Sequence, residues 1–130
     1  MTIKKLEFYN DHRASRFFDL YDELPGQVTI SVIEPNQFSG WHMHKLQYDK
    51  FTVVCGRVKV VVIKQDGTIN EHILDASVPE TLHILPTEIH SYKNFSEKSV
   101  LSYYLSKKHN EADEYRFSEE EIYKRFKYKI

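Results

Sequence analysis

Cysteine is almost missing from this sequence. Cys55 stands alone, which excludes an internal disulfide framework and fits a reducing compartment; its place in an apolar run suggests a small buried strand residue. Neither sign of charge is in excess: 18 Lys and Arg face 19 Asp and Glu, a formal net charge of −1. No basic block argues for nucleic acid, and no acidic arm suggests a charged interaction tail. No apolar run approaches the ~18 residues a spanning helix needs. The opening Met-Thr-Ile-Lys-Lys-Leu-Glu has no hydrophobic signal core. A cytoplasmic protein with no nucleic-acid or membrane partner is the expectation. Internal repeats and low-complexity linkers are also lacking, and 130 residues suit one domain with its own core.

Aromatic residues are plentiful. Nine Tyr and eight Phe suit a β-barrel interior or a protomer interface. Short apolar runs recur between turn residues. Ile3–Tyr9 reads as an edge strand and Asn10-Asp11-His12 as a turn, with a short unassigned run from Arg16 to Tyr21. Gln27–Glu34 alternates, with Val28, Ile30 and Val32 on one face and Thr29, Ser31 and Ile33 on the other. Phe51–Val54 and Arg57–Lys64 flank Gly56 as a hairpin, and Asp66-Gly67 marks a second one. Ile69–Leu74, Glu80–Leu85, His90–Asn94 and Val100–Ser106 complete the series. Strands at this spacing indicate an all-β barrel or sandwich, with its core at about 27–106. Ser118-Glu119-Glu120-Glu121 is a capping box with Phe117 and Ile122 as its staple. It predicts a helix over about 119–128, with Ile122, Tyr123 and Phe126 as the apolar stripe.

The chemistry-bearing stretch runs from Gly40 to Gly56. On a strand, His42 and His44 project to one face, close enough to share one ion or substrate. Asp49 joins them only if the chain turns back or a bulge re-aims it. This stretch resembles the first motif of the cupin superfamily, H-x-H-x4-E-x6-G, with Asp49 in place of Glu. Leu85-Pro86-Thr87-Glu88-Ile89-His90-Ser91-Tyr92-Lys93-Asn94 resembles the second, P-x-G-x2-H-x3-N, with Thr87 where the glycine belongs. The resemblance implies a single-domain jelly-roll cupin barrel with a short C-terminal helix. Small barrels leave edges to cover, so a homodimer is expected.

Within the cupins, the N-terminal half is similar to dTDP-4-dehydrorhamnose 3,5-epimerases. Asp11-His12-Arg13-Ala14-Ser15-Arg16-Phe17-Phe18, Gln27, Ser31 and Ser39-Gly40-Trp41-His42 carry that likeness. The C-terminal half is similar to dTDP-sugar 3,4-ketoisomerases, through His42-Met43-His44, His90-Ser91-Tyr92-Lys93-Asn94-Phe95-Ser96 and Asn110-Glu111-Ala112-Asp113-Glu114-Tyr115-Arg116. Both families remove a proton beside the ketone of a nucleotide-linked 4-keto sugar, and neither requires a metal. The resemblance implies His42 as general base, with His44 beside it, and a last-strand tyrosine, Tyr103 or Tyr104, as general acid. It further implies Arg13 at the diphosphate, and Gln27, Ser31 and His90 among the substrate contacts. Lys50 is expected at the sugar or an enolate. The epimerase pattern favours Tyr103, whereas the Ser102/Tyr104/Ser106 polar face favours Tyr104.

Two departures open alternatives. Ser39 stands where the epimerases have an arginine for the diphosphate. Asp49 stands where the ketoisomerases have glutamine, and with His42, His44 and His90 it restores the three-His-one-carboxylate set of metal cupins. Zn, Ni, Mn or Fe(II) would suit such a set. Certain bifunctional capsule enzymes carry H-x-H-x4-E-K-F with zinc, and His42 to Phe51 matches that spacing. A non-catalytic sugar-binding cupin is the third class. His12, His72, His83 and His109 have no partner at a telling spacing and read as structural.

Overall fold

The computed structural model describes residues 8–18 and 25–130. The expected edge strand before Phe8, and Asp19–Tyr21 after the second strand, lie outside them. The described residues form two antiparallel sheets. The first contains β1 (Phe8–Asn10), β2 (Ala14–Phe17), β3 (Gln27–Ile33), β5 (Asp49–Cys55), β8 (Thr81–Ile84) and β10 (Ser99–Leu105), ordered β1-β2-β3-β10-β5-β8. The second contains β4 (Trp41–Met43), β6 (Arg57–Ile63), β7 (Ile69–Asp75), β9 (Ile89–Asn94) and β11 (Tyr115–Phe117), ordered β11-β4-β9-β6-β7. Helix α1 spans Glu119–Phe126. This is an all-β jelly roll with a short C-terminal helix, as the cupin resemblance implies; the strand spacing alone predicts a barrel or sandwich.

The main core lies between the sheets: Ile33, Phe51, Val53 and Leu101 from one meet Val58, Val60, Val62, Leu74 and Tyr92 from the other. A second cluster covers the outer face of the five-stranded sheet. There Ile122 of α1, fully buried, packs on Trp41, Val61, Ile63 and Ile89. β6 is therefore covered on both faces, which is why Val58 and Val60–Ile63 form an apolar stretch instead of alternating with polar residues. The capping box at Ser118 and Glu121 is formed. The helix ends at Phe126, short of the expected Tyr128, because Lys127 turns left-handed at φ 54°. Tyr123 is exposed, so the buried stripe is narrower than expected. Cys55 is exposed too, at the C-terminal end of β5, not buried as its apolar neighbours suggest.

The hairpin expected at Gly56 does not form: β5 pairs with β10 and β8, β6 pairs with β7 and β9, and Gly56, at φ 81°, carries the chain from one sheet to the other. A Cβ there would run into Ser99 Oγ and lie 2.8 Å from the Lys98 carbonyl oxygen, so only glycine fits. The register of β5 is set instead by its two neighbours, which place Asp49 opposite Leu105 and Ile84.

Candidate active site

Three inward-facing positions bring the histidines together. On β4, Trp41 faces the helix-covered side, so His42 points into the barrel. His42 and His90 are directly opposite on neighbouring strands, with ring centroids 4.3 Å apart. His44, just past β4, has its ring 5.7 Å from His42 and 5.9 Å from His90. One nitrogen from each ring lies within 4.8 Å of the others. Asp49 enters from the facing sheet. Its Oδ2 is 3.6 Å from His90 Nε2 and 3.9 Å from His44 Nε2, while Oδ1 accepts a 2.7 Å hydrogen bond from Gln47.

The tautomers follow from the partners. His44 Nδ1 lies 2.9 Å from the carbonyl oxygen of Asp113, and His90 Nδ1 lies 3.0 Å from that of Glu88. A carbonyl only accepts, so both Nδ1 atoms carry hydrogen and both Nε2 lone pairs face the cluster. Burial holds the His42 pKa well below the usual histidine range, and the nearby His90 and His44 add to the effect. It is therefore neutral. His90 Nε2 is the one buried side-chain nitrogen or oxygen among the described residues with no hydrogen-bond partner. Three imidazoles with free nitrogens converging beside a carboxylate fit a divalent cation. Outer hydrogen bonds of this kind are what orient histidine ligands.

His42, His44 and Asp49 line a cavity of about 1100 Å³, whereas His90, expected among the substrate contacts, is fully buried and does not line it. Tyr103 lines it, paired in register with Phe51 and Thr29. Its hydroxyl lies 3.4 Å from Ser31 Oγ. Burial pushes its pKa up to about 12, with the Tyr92 hydroxyl adding to the shift. Tyr104 faces the other way and donates to the Pro25 carbonyl at 2.9 Å. Lys50 also points out, over the Tyr48 ring at 5.9 Å. Because Asp49 and Phe51 face inward, Lys50 between them must face outward, and the expected sugar contact is corrected on that ground. Arg13 and Gln27 line the cavity, Gln27 also accepting from the His109 amide at 2.8 Å. Ser31 is fully buried behind Tyr103 and does not line it.

Several wall residues escaped the sequence reading. Arg16, Lys108, His109, Glu114 and Arg116 all line the cavity. His109, expected to have no partner, has its Nε2 3.7 Å from Glu114 Oε2. Arg116 pairs in register with His42 through β11. The closing stretch that resembles the ketoisomerase ending was the signal available for these residues.

Thr87 adopts φ 72°, and its amide donates to the His44 carbonyl. That explains why the cupin pattern has glycine there: a β-branched residue is strained in the left-handed region. Thr87→Gly should raise stability by about 1 kcal/mol, the relieved strain exceeding the added chain entropy. Thermal denaturation checks this, and an unchanged or lower midpoint contradicts it.

A two-sheet jelly roll with H-x-H and a third histidine converging at its open end is a cupin. Residues 9–115 match the polysaccharide biosynthesis C-terminal domain family, and the chain belongs to that family. No curated protein sequence matches it. The capsular polysaccharide assembling protein CapF from Staphylococcus aureus is similar in structure, with TM-score 0.78 and 21% identity over 89% of this chain. This chain spans about a third of CapF, 32% of its length. A dTDP sugar isomerase from Desulfovibrio desulfuricans G20 superposes with TM-score 0.67 and 17% identity, over 87% of this chain and 80% of that one. A single-site variant of oxalate decarboxylase from B. subtilis gives TM-score 0.71 and 12% identity, over 90% of this chain and 33% of that one. At these identities the likeness establishes the shared fold.

Proposed function

We propose that the chain epimerises or isomerises a nucleotide-linked 4-keto-6-deoxy-hexose, dTDP-linked in the first instance, during polysaccharide biosynthesis. We further propose that His42, His44 and His90 hold a divalent cation there, with Asp49 completing the set. The observation that carries the reading is the convergence of free imidazole nitrogens, one of them buried without a partner, against a cavity that His42 and His44 line together with Arg13, Arg16, Lys108 and Arg116. Such walls suit a diphosphate. They also offset the loss of the family arginine at Ser39.

A cation held by His42, His44 and His90 would supply Lewis acidity to the reacting carbonyl. Tyr103 keeps its proton throughout the neutral range and is suited to donate it. With His42 occupied as a ligand, the carbon-bound proton goes to an imidazole elsewhere on the wall. His109, paired with Glu114, is that group. A second reading has specific support: His42 is neutral and lines the cavity, so in a metal-free site it would itself be the base.

Solvent deuterium exchange into dTDP-4-keto-6-deoxyglucose, with metal analysis of the same preparations, tests both. The expected result is exchange by the wild type, with about one divalent ion per chain. His42→Asn should lose ion and exchange together, and His109→Gln should lose exchange alone. If His42→Asn loses exchange from protein that never held an ion, the metal-free reading stands. If the wild type exchanges nothing, with or without added Zn, both fail and a sugar-binding cupin leads.

A further inference from the structure

We infer that Asp113 is a positioning residue for the histidine cluster, holding His44 with Nδ1 protonated and Nε2 free. The inference deepens the cation reading above. Asp113 closes a short 3-10 turn, Glu111–Asp113, in the segment between the barrel and α1. It is buried, and no Lys or Arg pairs with it among the described residues. Its carboxylate instead accepts main-chain hydrogen bonds: Oδ1 from Lys45 at 2.9 Å, and from Leu46 Oδ1 at 3.3 Å and Oδ2 at 3.1 Å. Its own carbonyl oxygen faces His44 Nδ1 at 2.9 Å. One residue thus grips both the ring of His44 and the chain that follows it.

The two grips depend on each other. The carbonyl that sets the tautomer is held in place because the carboxylate is pinned to the Lys45 and Leu46 amides. An ionised carboxylate is acceptor-only, which is what two converging N–H groups require. β11 continues this attachment, pairing Tyr115, Arg116 and Phe117 with Met43, His42 and Trp41. His90 does not depend on this arrangement, since its Nδ1 is held by Glu88. It therefore serves as an internal control.

Nitrogen-15 NMR of the histidine rings in metal-free full chain, with calorimetric Zn titration, tests the inference. In the wild type, His44 and His90 should both show the Nδ1–H tautomer. Asp113→Ala should mix the tautomers at His44 alone and weaken Zn binding about 10- to 100-fold, the usual cost of losing an outer-shell partner. Asp113→Asn keeps one amide-accepting oxygen and should recover most of both. If Asp113→Ala does not fold, Asp113→Asn against Asp113→Ser carries the same comparison, with Ser the weaker. The inference is overturned if His44 is Nε2–H in the wild type or keeps its tautomer without Asp113. It is equally overturned if His90 changes alongside His44, which would mark general loosening. Should Zn bind no form of the protein, the cation reading falls while the His44 tautomer still decides the role of Asp113.

Discussion

His90→Ala should abolish stoichiometric divalent-cation binding while leaving the barrel folded. His90 Nε2 is buried, unpaired, and 3.6 Å from the nearest Asp49 oxygen, too far for a hydrogen bond. An unsatisfied buried polar atom costs about 1–3 kcal/mol. Truncation to alanine removes that cost and leaves a small cavity, and the two effects oppose each other in the metal-free protein. With a cation present the balance changes, because one of three converging nitrogens is gone. Affinity should fall by more than the ~10–100-fold attached to outer-shell changes. In thermal denaturation, wild-type protein at a hundredfold excess of cation over Kd should gain about 2.7 kcal/mol, and the variant nothing. Wild type that gains no stability from Zn, Ni, Mn or Fe(II), or a variant that gains as much, removes the cation from the account.

Much of this architecture is legible in the sequence because strands and hairpins are local. The Asp66-Gly67 turn and the capping box at Ser118 each follow from rules that act within a few residues, whereas Gly56 joins the two sheets and is held to glycine by Lys98 and Ser99, which no local rule reports. What the alternation of β3 does not reveal is which side faces in. Gln27, Thr29 and Ser31 are the buried ones, while Val28, Ile30 and Val32 are only partly covered. The ordinary expectation is reversed because this end of the barrel encloses a polar cavity, not an apolar core. For Lys50 the same parity was decisive and available: once Asp49 faces inward, its neighbour cannot. β11 and the turn at 111–113 are three residues each, too short to register as periodic signals. Their value comes from long-range contacts, β11 pairing with β4 and the turn gripping His44, Lys45 and Leu46, about 70 positions earlier in the chain, and no local pattern reports that. The consequence is functional: Asp113, Glu114 and Arg116 reach the site only through tertiary structure.

Tyr103→Phe should slow deuterium exchange by about 10²–10⁴-fold, with kcat falling and KM nearly unchanged. The two adjacent tyrosines differ only by strand parity. Tyr103 pairs with Phe51 and Thr29, and its hydroxyl enters the cavity beside Ser31. Tyr104 caps the Pro25 carbonyl on the outside. Proton abstraction beside a ketone places charge on the carbonyl oxygen, and a donor already aimed there lowers the barrier without reorganising. Burial, reinforced by Tyr92, pushes the Tyr103 pKa up to about 12, so the hydroxyl stays protonated and acts as donor rather than base. The raised value fixes the sign of the pH dependence: the Tyr103 contribution persists through neutral and mildly alkaline solution and is lost only as pH approaches about 12. Tyr104→Phe should leave the rate within about twofold, since it loses a surface hydrogen bond and no group in the cavity. Stopped exchange assays on the two variants at several pH values separate these outcomes. A Tyr103→Phe enzyme at full rate, or a Tyr104→Phe enzyme that is the slow one, would place the proton donor elsewhere on the cavity wall.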